Sequence, residues 1–91
     1  MNRVEIFLRA ITASDEEVNV CRTFDFPGFV PQVGTLVRFG DEPAVIDEVE
    51  YDADGCYWAC EMTMKQRYRY QDAEDACKSF EATGWECVSI T

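Results

Sequence analysis

Apolar and polar positions alternate along most of the chain. From Arg3 to Ile11, Val4, Ile6, Leu8 and Ala10 interleave with Glu5, Phe7, Arg9 and Ile11, a period of two that predicts a strand with one wholly apolar face. Thr12 to Glu17 is a polar turn, and Val18 to Phe26 resumes the alternation with Val18, Val20, Phe24 and Phe26 on one side. These two strands are expected to form a hairpin. Pro27-Gly28 and Pro31 end the second one, because proline gives no ladder donor and restricts the residue before it. Gly34 to Phe39 then reads as a short strand, Gly40-Asp41-Glu42-Pro43 as a tight turn, and Ala44 to Tyr51 as a further strand. Asp52-Ala53-Asp54-Gly55 is the strongest turn signal, since Asp-Gly supplies the positive φ angles that hairpin turns use. Loops of two or four residues there both put Val45, Val49 and Tyr51 on one face with Cys56, Trp58, Cys60 and Met62.

Met62 to Tyr70 keeps the alternation, with Met62, Met64, Tyr68 and Tyr70 opposite Lys65, Arg67 and Arg69. It reads as one long strand or as two joined near Gln66. Asp72, with Asp75 three positions on, resembles a capping box, and Ala73, Ala76, Cys77 and Phe80 share one helical face. Gly84 supplies the stop. A helix over 72–83 and a last strand from Trp85 to Ile90 complete the pattern. The expected fold is α+β: a curved antiparallel sheet or small β-barrel of five to six strands, with one helix in the C-terminal half and a final strand. A chain of 91 residues forms one domain, residues 1–91, because halves would be too small to sustain separate cores.

Pro31-Gln32-Val33-Gly34-Thr35-Leu36-Val37, followed by Ala44-Val45-Ile46 and Val49, resembles the start of small Src-homology-3-like β-barrels of bacteria and phages whose role is unassigned. There a Pro-x-x-Gly turn leads into a strand pair. The resemblance implies a compact β-rich fold and carries over no functional residue.

Charge narrows the function classes. Eighteen acidic and 8 basic side chains with no histidine give a net charge of −10, which opposes attraction to nucleic acid or anionic lipid and favours a basic protein partner. Glu5 and Arg9 interrupt the apolar N-terminal residues, so the run typical of a signal peptide is missing, and no stretch approaches the roughly 20 apolar residues of a membrane span. A cytoplasmic location is the expectation. Five cysteines, Cys21, Cys56, Cys60, Cys77 and Cys87, are an odd number without an export signal and are expected as reduced, mostly core thiols. Cys56 and Cys60 on one regular strand would lie about 14 Å apart, too far to share a zinc ion. No metal or cofactor is expected.

Catalysis is not expected either, because the commonest general base is missing and no nucleophile motif is present. Asp52-x-Asp54-Gly55 lacks the downstream ligands of a calcium loop. The unusual feature is where the acids lie: residues 39–64 hold Asp41, Glu42, Asp47, Glu48, Glu50, Asp52, Asp54 and Glu61 and no Lys or Arg. Glu48, Glu50, Asp52 and Asp54 recur at every second position, so on a regular strand they share the face opposite Val49 and Tyr51, with Tyr57 and Glu61 added from the returning strand. Like charges so placed repel. Such a face either keeps the domain soluble or imitates phosphates and occupies the basic groove of a nucleic-acid-binding protein. In being short, acidic and without motifs, the chain is similar to small phage inhibitors of the anti-CRISPR and DNA-mimic classes. The candidate partner site is therefore Glu48, Glu50, Asp52, Asp54, Tyr57 and Glu61; the alternative is an accessory small-barrel interaction module. Lys65, Arg67 and Arg69, interleaved with Tyr68 and Tyr70, are too few against −10 to bind nucleic acid and are expected to pair with acids of a neighbouring strand.

Overall fold

The alternating segments become strands because each has one apolar face to bury. A computed structural model describes residues 3–28, 30–66 and 69–91. It contains β1 (Arg3–Ile11), β2 (Glu17–Asp25), β3 (Leu36–Phe39), β4 (Glu42–Asp52), β5 (Tyr57–Met64), α1 (Ala73–Ala82) and β6 (Glu86–Ile90). One six-stranded sheet has the order β3-β4-β5-β1-β2-β6. The β1–β2 hairpin forms as expected, with Arg3 opposite Asp25 and Ile11 opposite Glu17. The sheet is antiparallel except where β1 lies parallel to β5. That junction corrects the all-antiparallel expectation; β1 is drawn between β2 and β5 because its apolar face has neighbours to bury on both sides. The sheet is not closed, since β3 and β6 stand at its two ends.

The core face carries Val4, Ile6, Val18, Val20 and Cys60, all fully buried, together with Leu8, Ile46 and Met62. Helix α1 lays Ala73, Ala76 and Phe80 on that face. Asp72 caps it, its carboxylate accepting from the Asp75 N–H at 2.9 Å. The reciprocal half of the expected capping box is displaced by one residue, because Asp75 accepts from the Gln71 N–H instead. Glu16, in the β1–β2 turn, accepts from the Ala73 N–H at 3.1 Å and so ties the hairpin to the first helical turn. The sheet curls enough for Phe39 of β3 to reach Trp85, 5.2 Å between ring centroids, and Phe24 of β2, at 5.6 Å.

Several expectations are corrected. Strand β5 ends at Met64, so the alternation from Met62 does not continue as one long strand. Tyr70 turns instead to the helix, its ring 5.3 Å from that of Phe80, while Arg67 and Tyr68 lie outside the described residues. Val45 lies opposite Thr63, off the core face, because a β-bulge between Ile46 and Glu48 reverses the parity of β4. An extra residue in one strand moves all later side chains to the other face. The cysteines are not uniform core thiols. Cys77 of α1 and Cys87 of β6 form a disulfide with Cα atoms 6.0 Å apart, within the usual disulfide range; Cys60 is buried, Cys21 is half-buried and Cys56 is exposed.

The disulfide closes a short loop spanning a sequence separation of 10, so it limits the unfolded chain by about 3 kcal/mol on the loop-entropy account. The Cys77→Ser/Cys87→Ser variant is expected to fold, since Phe80 and Ala76 still anchor α1, with stability lower by about that amount in urea unfolding. An unreduced parent that carries five free thiols and matches the variant in stability would refute the pairing.

Candidate functional site

The acidic site is built by the hairpin of β4 and β5. Its loop has four residues, Ala53 to Cys56, because Asp52 pairs with Tyr57. The positive φ that the turn needs falls on Cys56, at 56°, rather than on Gly55. At position 55 a Cβ would sit 2.5 Å from a ring carbon of Tyr57, so any residue but glycine there has to displace that ring. The turn thus folds its aromatic side chain back over its own backbone. Asp52 accepts from the Gly55 N–H at 2.8 Å. That bond, reinforced by the Tyr57 hydroxyl and the Asp54 N–H, holds the Asp52 carboxyl below its ordinary value. The Asp52 charge in turn pushes the Tyr57 hydroxyl up. Arg3 of β1 stacks over the Tyr57 ring, 4.3 Å from its centroid.

Beyond the turn, the registers place Glu48 opposite Glu61 and Glu50 opposite Ala59. On the other side of β5, Phe7 lies opposite Glu61 and Glu5 opposite Ala59. The structure therefore brings Glu48, Glu50, Asp52, Tyr57 and Glu61 onto one face, as the alternation predicts. Asp54 does not join them: it stands in the turn, exposed, and its N–H points at Asp52. Glu5 and Phe7 were missed as site residues. Their alternation is plain in the sequence, but only the parallel β1–β5 pairing brings them beside the hairpin. The helix packs on the opposite face, and Phe7 remains 37% exposed at the centre of the acidic one. A shallow depression of about 120 Å³ is lined by Phe7, Glu48, Glu50, Ala59 and Glu61.

Electrostatically the two ends of this face differ. At one end Arg9 approaches Glu17 at 3.4 Å and Asp47 at 4.0 Å, and donates to Thr63 at 3.3 Å. At the centre, Glu48 and Glu61 are direct cross-strand partners. Glu61 is raised above its ordinary value of 4.5, first by its hydrogen bond with Glu48, then by partial burial and by the Glu48 charge, with Arg9 opposing. A hydrogen bond between two carboxyl groups needs a proton, so the pair resists full ionisation. Away from this face, Arg69 pairs with Glu42 of β4 at 2.6 Å, as expected for a neighbouring-strand acid. Among the described residues no three Cys, Asp or Glu side chains converge to hold a metal ion.

Because the folded state favours protonated Glu61, its contribution to stability is fully present below the unfolded value near 4.5 and is lost as pH rises through the raised folded value. Glu61→Gln is therefore expected to melt slightly above the parent near pH 7 and level with it near about pH 4. Carboxyl NMR titration should show the Glu61 midpoint falling in Glu48→Gln. An unmoved midpoint would mean that the two carboxyls do not share a proton.

No protein-family model matches the chain, and neither a curated protein nor a solved structure matches it.

Proposed function

We propose that the chain is a noncatalytic binding protein whose acidic sheet face occupies a basic surface of a nucleic-acid-binding protein, in the manner of a nucleic-acid mimic of the phage-inhibitor kind. The observation that carries this reading is the Glu48–Glu61 pair. Two carboxylates in cross-strand register repel by a few tenths of a kcal/mol up to about 1 kcal/mol, and a lysine at either position would relieve that. The pair sits with Glu5 and Glu50 around a half-exposed Phe7. Carboxylates spaced about 7 Å along a strand around an apolar centre suit arginines and lysines that normally bracket phosphates and bases. Guanidinium forks bind carboxylates as readily as phosphates. Long-range attraction between the −10 chain and a basic groove would also speed encounter.

Such a target places the protein in the cytoplasm, where thiols are kept reduced. Activity must then persist without the Cys77–Cys87 bond, and the serine pair variant should bind as the parent does. The bond and the acidic face sit on different elements, α1 and β6 against β4 and β5.

The deciding experiment is capture of partners from host lysate on immobilised parent and on Glu48→Lys/Glu50→Lys, followed by competition with nucleic acid. The variant is expected to melt at or above the parent, since a lysine introduced in place of Glu48 would meet Glu61 as an ion pair. It should bind the partner about 2–5 kcal/mol more weakly, because the new charges face desolvated arginines or lysines. Tyr57→Ala should weaken the complex separately, through loss of an aromatic at the patch edge. Equal binding by parent and lysine variant, or a partner that nucleic acid does not displace, would leave the face with a solvating role only.

A further inference from the structure

The concave side of the sheet is unlike the acidic face. There a cavity of about 590 Å³ opens between β2, β3 and α1, within the size range of small-molecule sites. Its apolar wall is a set of rings in mutual contact: Phe24, Phe39, Phe80 and Trp85 meet edge-on or tilted at 5.2 to 6.0 Å. The charged part of the wall is Arg22, Arg69 and Glu42, while Arg38 stands opposite Pro43 on the strand face away from Val37 and Phe39. In a chain with 8 basic side chains and a net charge of −10, two bases against one acid is a local inversion of sign.

The three groups have different tasks. Arg69 Nε approaches Glu42 Oε1 at 2.6 Å and neutralises it. The contact is ionic rather than a well-directed hydrogen bond, since both Glu42 carboxylate oxygens are shut from solvent and accept none. Arg22 stacks over Phe24, 4.7 Å from the ring centroid, and donates one N–H to the Thr83 carbonyl at the end of α1. A guanidinium has five N–H groups, so most of its donors remain available beside the rings.

We infer that this cavity is a small-molecule site for a planar aromatic anion. The rings of the ligand lie against Phe24, Phe39 and Trp85, and its anionic group is held by Arg22. Aromatic walls favour flat ring systems by edge and offset contacts. Charge-assisted hydrogen bonds from a positioned guanidinium select the anion over its neutral analogue. The Thr83 bond and the Phe24 stack hold the Arg22 side chain in place before ligand arrives, which lowers the ordering entropy of binding.

The test uses two fluorescent probes with the same rings and N–H: anilinonaphthalene sulfonate, which carries an anion, and phenylnaphthylamine, which does not. The sulfonate is expected to saturate at one per chain and to bind about tenfold or more tighter than the neutral probe. Arg22→Gln should remove that difference while leaving the neutral probe unchanged, and Phe39→Ala should weaken both. Arg22→Lys, which keeps the positive charge but not the planar fork, serves if Arg22→Gln melts early, and should narrow the difference in the same direction. By NMR the indole N–H of Trp85 should shift on binding while that of Trp58, which packs with Tyr51 away from the cavity, should not. Equal affinity for the two probes, insensitivity of the sulfonate to both arginine variants, no saturable binding, or a shift at Trp58 in place of Trp85 would each overturn the assignment.

Discussion

The phase of β4 is the constraint on which the rest of the molecule depends. Ala44 and Ile46 are buried, and Val49 opposite Cys60 also belongs to the core side. A regular strand cannot put Ile46 and Val49 on the same face, because they differ by an odd number of positions. The bulge at Asp47 removes the conflict by inserting one unpaired residue. Its side chain does not go to waste: it accepts from the Thr63 hydroxyl and lies within reach of Arg9. The same shift decides where the acids go. Without it, Val49 and Tyr51 would face out, and Glu48 and Glu50 would be forced into a core where unpaired carboxylates cost several kcal/mol each.

Much of this was legible from alternation alone, and the failures have distinct causes. The strands over residues 3–11 and 17–25 follow directly from Val4-x-Ile6-x-Leu8 and its counterparts, and Asp72 with Gly84 bounds the helix, whereas the end of β5 at Met64 is hidden by an alternation that runs on to Tyr70. The face of Glu48, Glu50 and Glu61 was readable because counting outward from the Asp52–Gly55 turn stays on the near side of the bulge. Val45 was misplaced because it lies beyond it. A bulge leaves no composition signal here, since Asp47 is one acid among several. The parallel β1–β5 junction was illegible for another reason: it joins residues more than 50 positions apart, so no local pattern encodes it. With it went Glu5 and Phe7, the residues that widen the acidic row into a surface.

The thiols show how far a residue count can mislead. Five cysteines read as reduced because the number is odd, yet two of them are adjacent only through the docking of α1 on β6. Cys56 was expected on the apolar face with Trp58, but its left-handed backbone ends that alternation within the turn. Burial separates the remaining thiols chemically. Cys60 is pushed above the ordinary thiol value by burial, and Cys21 by burial together with the nearby Glu86 and Glu5 charges. Both effects disfavour thiolate and leave these side chains poor nucleophiles.

A sheet with one helix has to leave one face without a second layer, and this chain gives its two faces opposite electrostatics. On the covered side, arginines accompany the rings: Arg22 over Phe24 and Arg69 against Glu42. On the open side, carboxylates surround Phe7, and the bases Arg3 and Arg9 are drawn to the two ends of the face by Tyr57 and by Glu17 with Asp47. The strands between them are only one residue thick, so the separation is made by alternation itself: Arg22 and Cys21, or Phe7 and Leu8, are chain neighbours on opposite sides. Sequence period, rather than distance along the chain, keeps the acidic surface and the basic cavity apart. That arrangement lets an uncompensated acidic row stand on one face while the hydrophobic burial that holds the fold together proceeds on the other.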